Sequence, residues 1–139
     1  MINMRTFIIL VMVITLAACR KERTMEETAD VAVTSCKEFT TGKGTLTYCL
    51  DSVIIDARCP ANANCVWAGY AAARFNFTKN DEIKTITMMP DPGLGVDKIY
   101  PTTVEVFGCI VRFVSLSPYP GLEPKNYLDY KATLSILEK

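Results

Sequence analysis

The stretch Leu128–Ile136, LDYKATLSI, decides the fold class. Leu128, Tyr130, Ala132, Leu134 and Ile136 fall on one side of an alternating pattern, and Asp129, Lys131, Thr133 and Ser135 fall on the other. Successive side chains of an extended chain point to opposite faces, so a period of two reads as an antiparallel strand with one buried face. Outward from it the same period recurs. Trp67, Ala71, Ala73, Phe75 and Phe77 form a second apolar face opposed by Arg74, Asn76 and Thr78; Leu46, Tyr48 and Leu50 form a third; Val111 and Phe113, with Arg112 between them, form a fourth whose odd-numbered side faces inward. Turn-forming residues separate these runs at Gly42 to Gly44, Lys79 to Asp81, Met89 to Asp97 and Pro118 to Pro124. No helix of three turns and no internal repeat is legible. The expected fold is all-β, an antiparallel β-sandwich of six or seven strands, with a partly closed β-barrel as the alternative.

The N-terminus is different in kind. Arg5 precedes an almost unbroken apolar run, Phe7 to Ala18, and Leu16, Ala17, Ala18 and Cys19 then follow in the order leucine, small, small, cysteine. This resembles the bacterial lipobox. The resemblance implies that residues 1–18 are a lipoprotein signal peptide cut before Cys19, that the Cys19 thiol carries a diacylglyceryl group, and that the new amino group is commonly acylated, for example with palmitate. Two or three acyl chains, at about 0.8 kcal/mol per buried methylene, anchor a protein firmly to a bilayer. Residues 19–34 are polar and charged up to Val31 and read as a flexible lipidated tether reaching roughly 20 Å. Residues 35–139 read as the single β domain. The lack of aspartate at Arg20 resembles lipoproteins sent to the outer membrane of Gram-negative cells.

Export implies an oxidising compartment, so the body's five cysteines read first as disulfide partners. A hairpin centred on Gly42–Lys43, with glycine first as a type II′ turn prefers, sets Thr41 opposite Gly44 and Cys36 opposite Cys49. Alternation makes the cysteines a non-hydrogen-bonded pair with Cα atoms about 4.5 Å apart, within reach of a disulfide. Cys59 and Cys65 bracket the turn-rich loop Pro60–Asn64 and read as a second staple. Cys109 is left as a buried small hydrophobe, or as an exchange partner of Cys36 or Cys49.

The segment Asp56, Ala57, Arg58, Cys59, Pro60, then Cys65, Val66, Trp67, Ala68, Gly69 resembles the signature of a family of small, largely uncharacterised bacterial exported proteins and lipoproteins. Ala57 stands where that family usually carries serine. Ser117 to Pro120, with Tyr130, Ala132, Thr133 and Leu134, resembles the family's C-terminal end. The resemblance spans roughly Thr45 to Leu137 and implies an exported β domain with no established activity. Physically the motif reads as structural: a closed loop at a strand crossover, Trp67 leading the next strand into the core, Gly69 packing beside the indole, and Asp56 and Arg58 flanking the loop, either bonded to its backbone or joined as a mostly solvated pair worth about 0.5 kcal/mol.

Function is less legible than fold. The charges balance at 15 basic and 15 acidic residues, and nothing is built to hold a nucleic-acid backbone. The absence of histidine removes the commonest general base and metal ligand, which argues against an enzyme. Asp91, Gly93, Gly95 and Asp97 alternate in the manner of a calcium loop, yet two carboxylates are few and a proline- and glycine-rich turn explains them. Asp51, Asp56, Asp81, Glu82, Glu105, Glu123 and Asp129 are scattered and assign no hydrolytic pair. The expectation is a non-enzymatic cell-envelope protein, held to the membrane by its N-terminal lipid, needing no cofactor or metal, and binding a protein or envelope component. An exported hydrolase using carboxylates, or a protease-inhibitor-like loop protein, is the alternative.

Overall fold

A computed structural model describes residues 25–90, 100–121 and 126–139. Eight strands form two four-stranded sheets: β1 (Glu26–Ala32), β2 (Cys36–Thr41), β3 (Gly44–Asp56), β4 (Ala71–Lys79), β5 (Glu82–Met88), β6 (Thr103–Val106), β7 (Cys109–Ser117) and β8 (Lys131–Glu138). One sheet has the order β1-β8-β7-β6 and the other β2-β3-β4-β5. All strand pairs within them are antiparallel, and the sheets pack face to face as a sandwich, not a closed barrel.

The alternating faces become the core. Leu46, Tyr48 and Leu50 of β3, Ala71, Ala73, Phe75 and Phe77 of β4, Val111 and Phe113 of β7, and Ala132, Leu134 and Ile136 of β8 are buried together. Phe75 and Phe113 meet edge to face across the two sheets, ring centroids 5.0 Å apart, an arrangement that suits the aromatic quadrupoles. A bulge between Phe113 and Ser115 shifts the phase of β7, so Leu116 rather than an odd-numbered residue turns inward at its end.

Three expectations are corrected here. The tether read over residues 19–34 overlaps β1, which pairs with β8 from Glu26–Leu137 to Ala32–Lys131. Edge pairing is made by backbone groups and needs few apolar side chains; in β1 Val31 alone is fully buried, so composition concealed the strand. Leu128 does not extend β8. It lies in a single 3-10 turn, Tyr127–Asp129, and is 60% exposed. The β2–β3 turn has the expected Gly42–Lys43 loop and register, but the positive φ, 114°, falls at Gly44 and not at Gly42, so the turn is not type II′. Thr41 Oγ1 accepts from the Lys43 amide (3.1 Å) and donates to the Gly44 carbonyl (2.6 Å), closing the turn from its own side chain.

Strand direction sorts the connections between two poles. At one, the hairpin pole, the two-residue turns Gly42–Lys43, Asn80–Asp81 and Phe107–Gly108 close β2–β3, β4–β5 and β6–β7. At the other, the loop pole, lie the connection 57–70, the ends of β5 and β7 and the starts of β6 and β8, which the other long connections join. Edge strand β5 carries an inward-facing charge, Lys84, whose ammonium sits 4.7 Å from the Phe107 ring centroid; such a charge discourages pairing with another edge.

Candidate functional site

The signature residues meet at the loop pole. The β3–β4 ladder continues past its last strand pair through the Ala57 amide donating to Tyr70 O (2.8 Å) and the Cys59 amide to Ala68 O (2.7 Å). The narrow ribbon so formed is tipped by the Cys59–Cys65 disulfide, Cα atoms 5.9 Å apart. The second staple, Cys36–Cys49, joins the expected cross-strand pair with Cα atoms 4.0 Å apart, and Cys109 is free and buried. Gly69 has φ +69°, and a Cβ there would fall on the Ala57 carbonyl, so it is required by backbone crossing backbone and not by an indole. The neighbouring 118–121 segment closes on the ribbon: the Ala61 amide donates to Pro120 O (2.9 Å), and a Cβ on Gly121 would strike Pro60 and Asn62.

The side chains of Asp56 and Arg58 are largely withdrawn from water, which corrects the expectation of a mostly solvated pair. Their side chains are 6% and 11% exposed, and Arg58 grips Asp56 in a two-point fork, Nε to Oδ1 at 2.7 Å and Nη2 to Oδ2 at 2.9 Å. The same guanidinium donates to Leu116 O (2.6 Å) and Pro118 O (3.0 Å), and lies 4.7 Å from the Tyr119 ring centroid. Tyr130 completes the cluster by donating its hydroxyl to Asp56 Oδ2 (2.7 Å). Asp56 belongs to one sheet; Leu116, Pro118 and Tyr130 belong to the other or to its connections. One arginine therefore locks the two sheets together at this pole.

Trp67 corrects a second expectation. It is 62% exposed, with Val66 beside it fully exposed, and neither enters the core; β4 begins at Ala71. Between this ribbon and the end of β7 lies a cavity of about 300 Å³, walled by Arg58, Tyr70, Met89, Pro90, Leu116 and Tyr119 among others. No described residue lining it is a carboxylate. Tyr119, Tyr127, Leu128 and Ile54 are further large side chains left at least two-fifths exposed toward the same pole. The Tyr127 hydroxyl accepts from the Val53 amide (3.1 Å) where β3 is bulged, and its ring packs edge to face on Tyr130.

The other carboxylates stand apart. Asp51 faces Arg74 at 3.8 Å on the open side of the sheet, Glu82 pairs with Lys84 and Glu105 with Lys139, all exposed. Asp81 sits in a turn at the opposite pole and Asp129 in the exposed 3-10 turn. Glu123, the 91–97 candidate cation loop and Cys19 lie outside the described residues. Among the described residues no three of His, Cys, Asp and Glu gather as a metal site. Burial pushes the Cys109 thiol up, with Lys79 opposing the shift, which keeps it protonated at neutral pH.

The chain matches no family model, no curated protein and no solved structure. The site is thus read from its own geometry. Sequence reasoning singled out Asp56, Arg58, Pro60, Trp67 and Gly69 and missed Leu116, Pro118 and Tyr119 as partners of Arg58 and Tyr130 as a partner of Asp56. Those partners lie about sixty to seventy-four residues away in the chain, and no local pattern links them.

Proposed function

We propose that this chain is a lipid-anchored cell-envelope protein whose sandwich domain binds a partner protein through the loop pole, with no catalytic role. The observation that carries the reading is the exposed Val66–Trp67 pair on a ribbon fixed by a disulfide and by the buried Asp56–Arg58 cluster. A preordered loop loses little freedom on binding, and exposed tryptophan and tyrosine beside a cavity are the side chains that dominate protein interfaces. The tip is also neutral, since no charged residue occurs from Cys59 to Ala73. The lipobox resemblance at Cys19 supplies the anchor in this reading, and the missing histidine and separated carboxylates give an exported hydrolase no support.

The test is site-specific photo-crosslinking in cells from Asn64, beside the tip, and from Lys43 at the hairpin pole. A discrete adduct is expected from Asn64, none from Lys43, and Trp67→Ala should abolish the Asn64 adduct while the melting curve stays unchanged. Equal labelling from both positions, adducts to lipid in place of protein, or indifference to Trp67→Ala would sink the proposal.

A further inference from the structure

The chain enters the domain at the pole opposite its exposed tip. Met25 O accepts from the Glu138 amide (3.1 Å), the Lys139 amide donates to Gly108 O (3.0 Å), and Glu138 Oε2 accepts from the Gly42 amide (3.2 Å). Met25 therefore lies beside the Gly42–Lys43 and Phe107–Gly108 turns, and β1 runs from there toward the loop pole. Along the β3–β4 ribbon, the ladder from the Lys79–Glu82 turn out to Ala68 covers on the order of 35 Å at the usual strand rise. Val66 and Trp67 lie beyond its end.

Folding β1 into the sheet also shortens the tether. Only Arg20–Thr24 separate Cys19 from Met25, and those six residue steps span at most about 20 Å even when fully extended. We infer that a lipid on Cys19 holds the hairpin pole toward its own bilayer and turns the Val66–Trp67 tip away from it, so that the tip meets a partner across the compartment and does not insert into the anchoring membrane. The inference rests on the lipid-anchor reading. Turning the tip into that membrane would lift Met25 on the order of 35 Å above the headgroups, farther than the connecting chain reaches. The uncharged tip has no attraction to anionic headgroups to offset this, and a tether of fifteen free residues would not have imposed the constraint.

Trp67 is the chain's single tryptophan, so its own fluorescence reports the tip. The full-length lipidated protein is reconstituted in phosphatidylethanolamine–phosphatidylglycerol vesicles carrying either brominated acyl chains or a dansyl headgroup acceptor. Trp67 emission should be unaffected by bromine, and energy transfer to dansyl should be severalfold weaker than from a Lys43→Trp, Trp67→Phe variant that moves the reporter to the hairpin pole. Bromine quenching of Trp67, or transfer from Trp67 equal to that from position 43, overturns the orientation while leaving the anchor intact. If the wild-type chain fails to float with vesicles, or floats equally well as Cys19→Ser, the anchor reading falls and the orientation falls with it.

Discussion

The two poles of the sandwich are held by different means. At the hairpin pole three turns of two residues each reverse the chain, and each is specified by its own residues: Asn80 and Asp81 (φ 49° and 63°), Phe107 and Gly108 (φ 52° and 76°), and Gly44 after Lys43. Positive φ at both central residues is the backbone of a type I′ turn, whose twist matches that of the flanking strands. The loop pole instead spends fourteen residues between β3 and β4 and, beside its own ion pair and disulfide, is held by contacts from distant parts of the chain: Arg58 to the Leu116 and Pro118 carbonyls, the Tyr130 hydroxyl to Asp56, and the Ala61 amide to Pro120 O. Local closure leaves little surface to vary. Long-range closure carries a displayed loop, with apolar side chains free at its tip.

The contrast is sharpest for charge. Arg58→Ala removes the guanidinium from the largely buried Asp56 carboxylate, with the Tyr130 hydroxyl still donating to it, and also takes the donors from two carbonyls; it should lower stability by about 3 kcal/mol, measured by urea unfolding. Lys139→Ala, which breaks the Lys139–Glu105 pair at the hairpin pole (60% and 55% exposed), should cost no more than about 1 kcal/mol because water screens it. Similar losses from the two variants would break the comparison.

Next come the staples. Replacing Cys36 and Cys49 by serine should cost about 3 kcal/mol, and replacing Cys59 and Cys65 somewhat less, about 2.4 kcal/mol, since the shorter loop restrains the unfolded chain less. Only the second pair should loosen the tip, read as increased proteolysis between Pro60 and Trp67 with strands β2 to β5 still protected from amide exchange.

Glycine substitutions separate the poles by a smaller amount. Gly108→Ala meets nothing within 4 Å and should cost only the left-handed backbone term, about 1–2 kcal/mol. Gly69→Ala carries that same term and must also displace the Ala57 backbone, so its midpoint in a thermal melt should fall well below that of Gly108→Ala. Equal midpoints would show that the close approach at Gly69 is not a constraint.

The smallest effect lies between the poles. Tyr48 is buried with no hydrogen-bond partner for its hydroxyl among the described residues, and burial, aided by the Glu27 charge, raises its pKa above the ordinary tyrosine value of about 10. A phenol raised in the folded state favours folding below the unfolded pKa and loses that contribution as pH climbs through the folded one. Stability should therefore decline above about pH 10. Tyr48→Phe should be near neutral or slightly stabilising at pH 7 and should flatten that alkaline decline, followed by denaturant midpoints against pH.

Much of the body was legible in the sequence because its information is local. Alternation in Leu46–Leu50, Ala71–Phe77, Val111–Phe113 and Ala132–Ile136 placed four core faces correctly, and counting outward from Gly42–Lys43 paired Cys36 with Cys49. The failures share a cause. Strand β1 hid in a polar segment because edge pairing uses backbone groups that every residue has. Trp67 fits the alternation of β4 on paper, yet the strand starts four residues later and the indole stays in water. Asp56 and Arg58 stand two apart on a motif that looks solvated, and nothing nearby announces Leu116, Pro118 or Tyr130.

By itself the sequence determined what depends on neighbours along the chain: an all-β class, most inward faces, the Gly42–Lys43 and Asn80–Asp81 turns and both disulfides, since side-chain alternation and hairpin register need only short spans. The tertiary structure alone decided that β1 closes an edge, that one arginine joins the two sheets, and that Val66 and Trp67 stand outside the core at the pole farthest from Met25. Those outcomes depend on which backbone edges and carbonyls are brought together by strands far apart in sequence, and burial is a property of that whole arrangement.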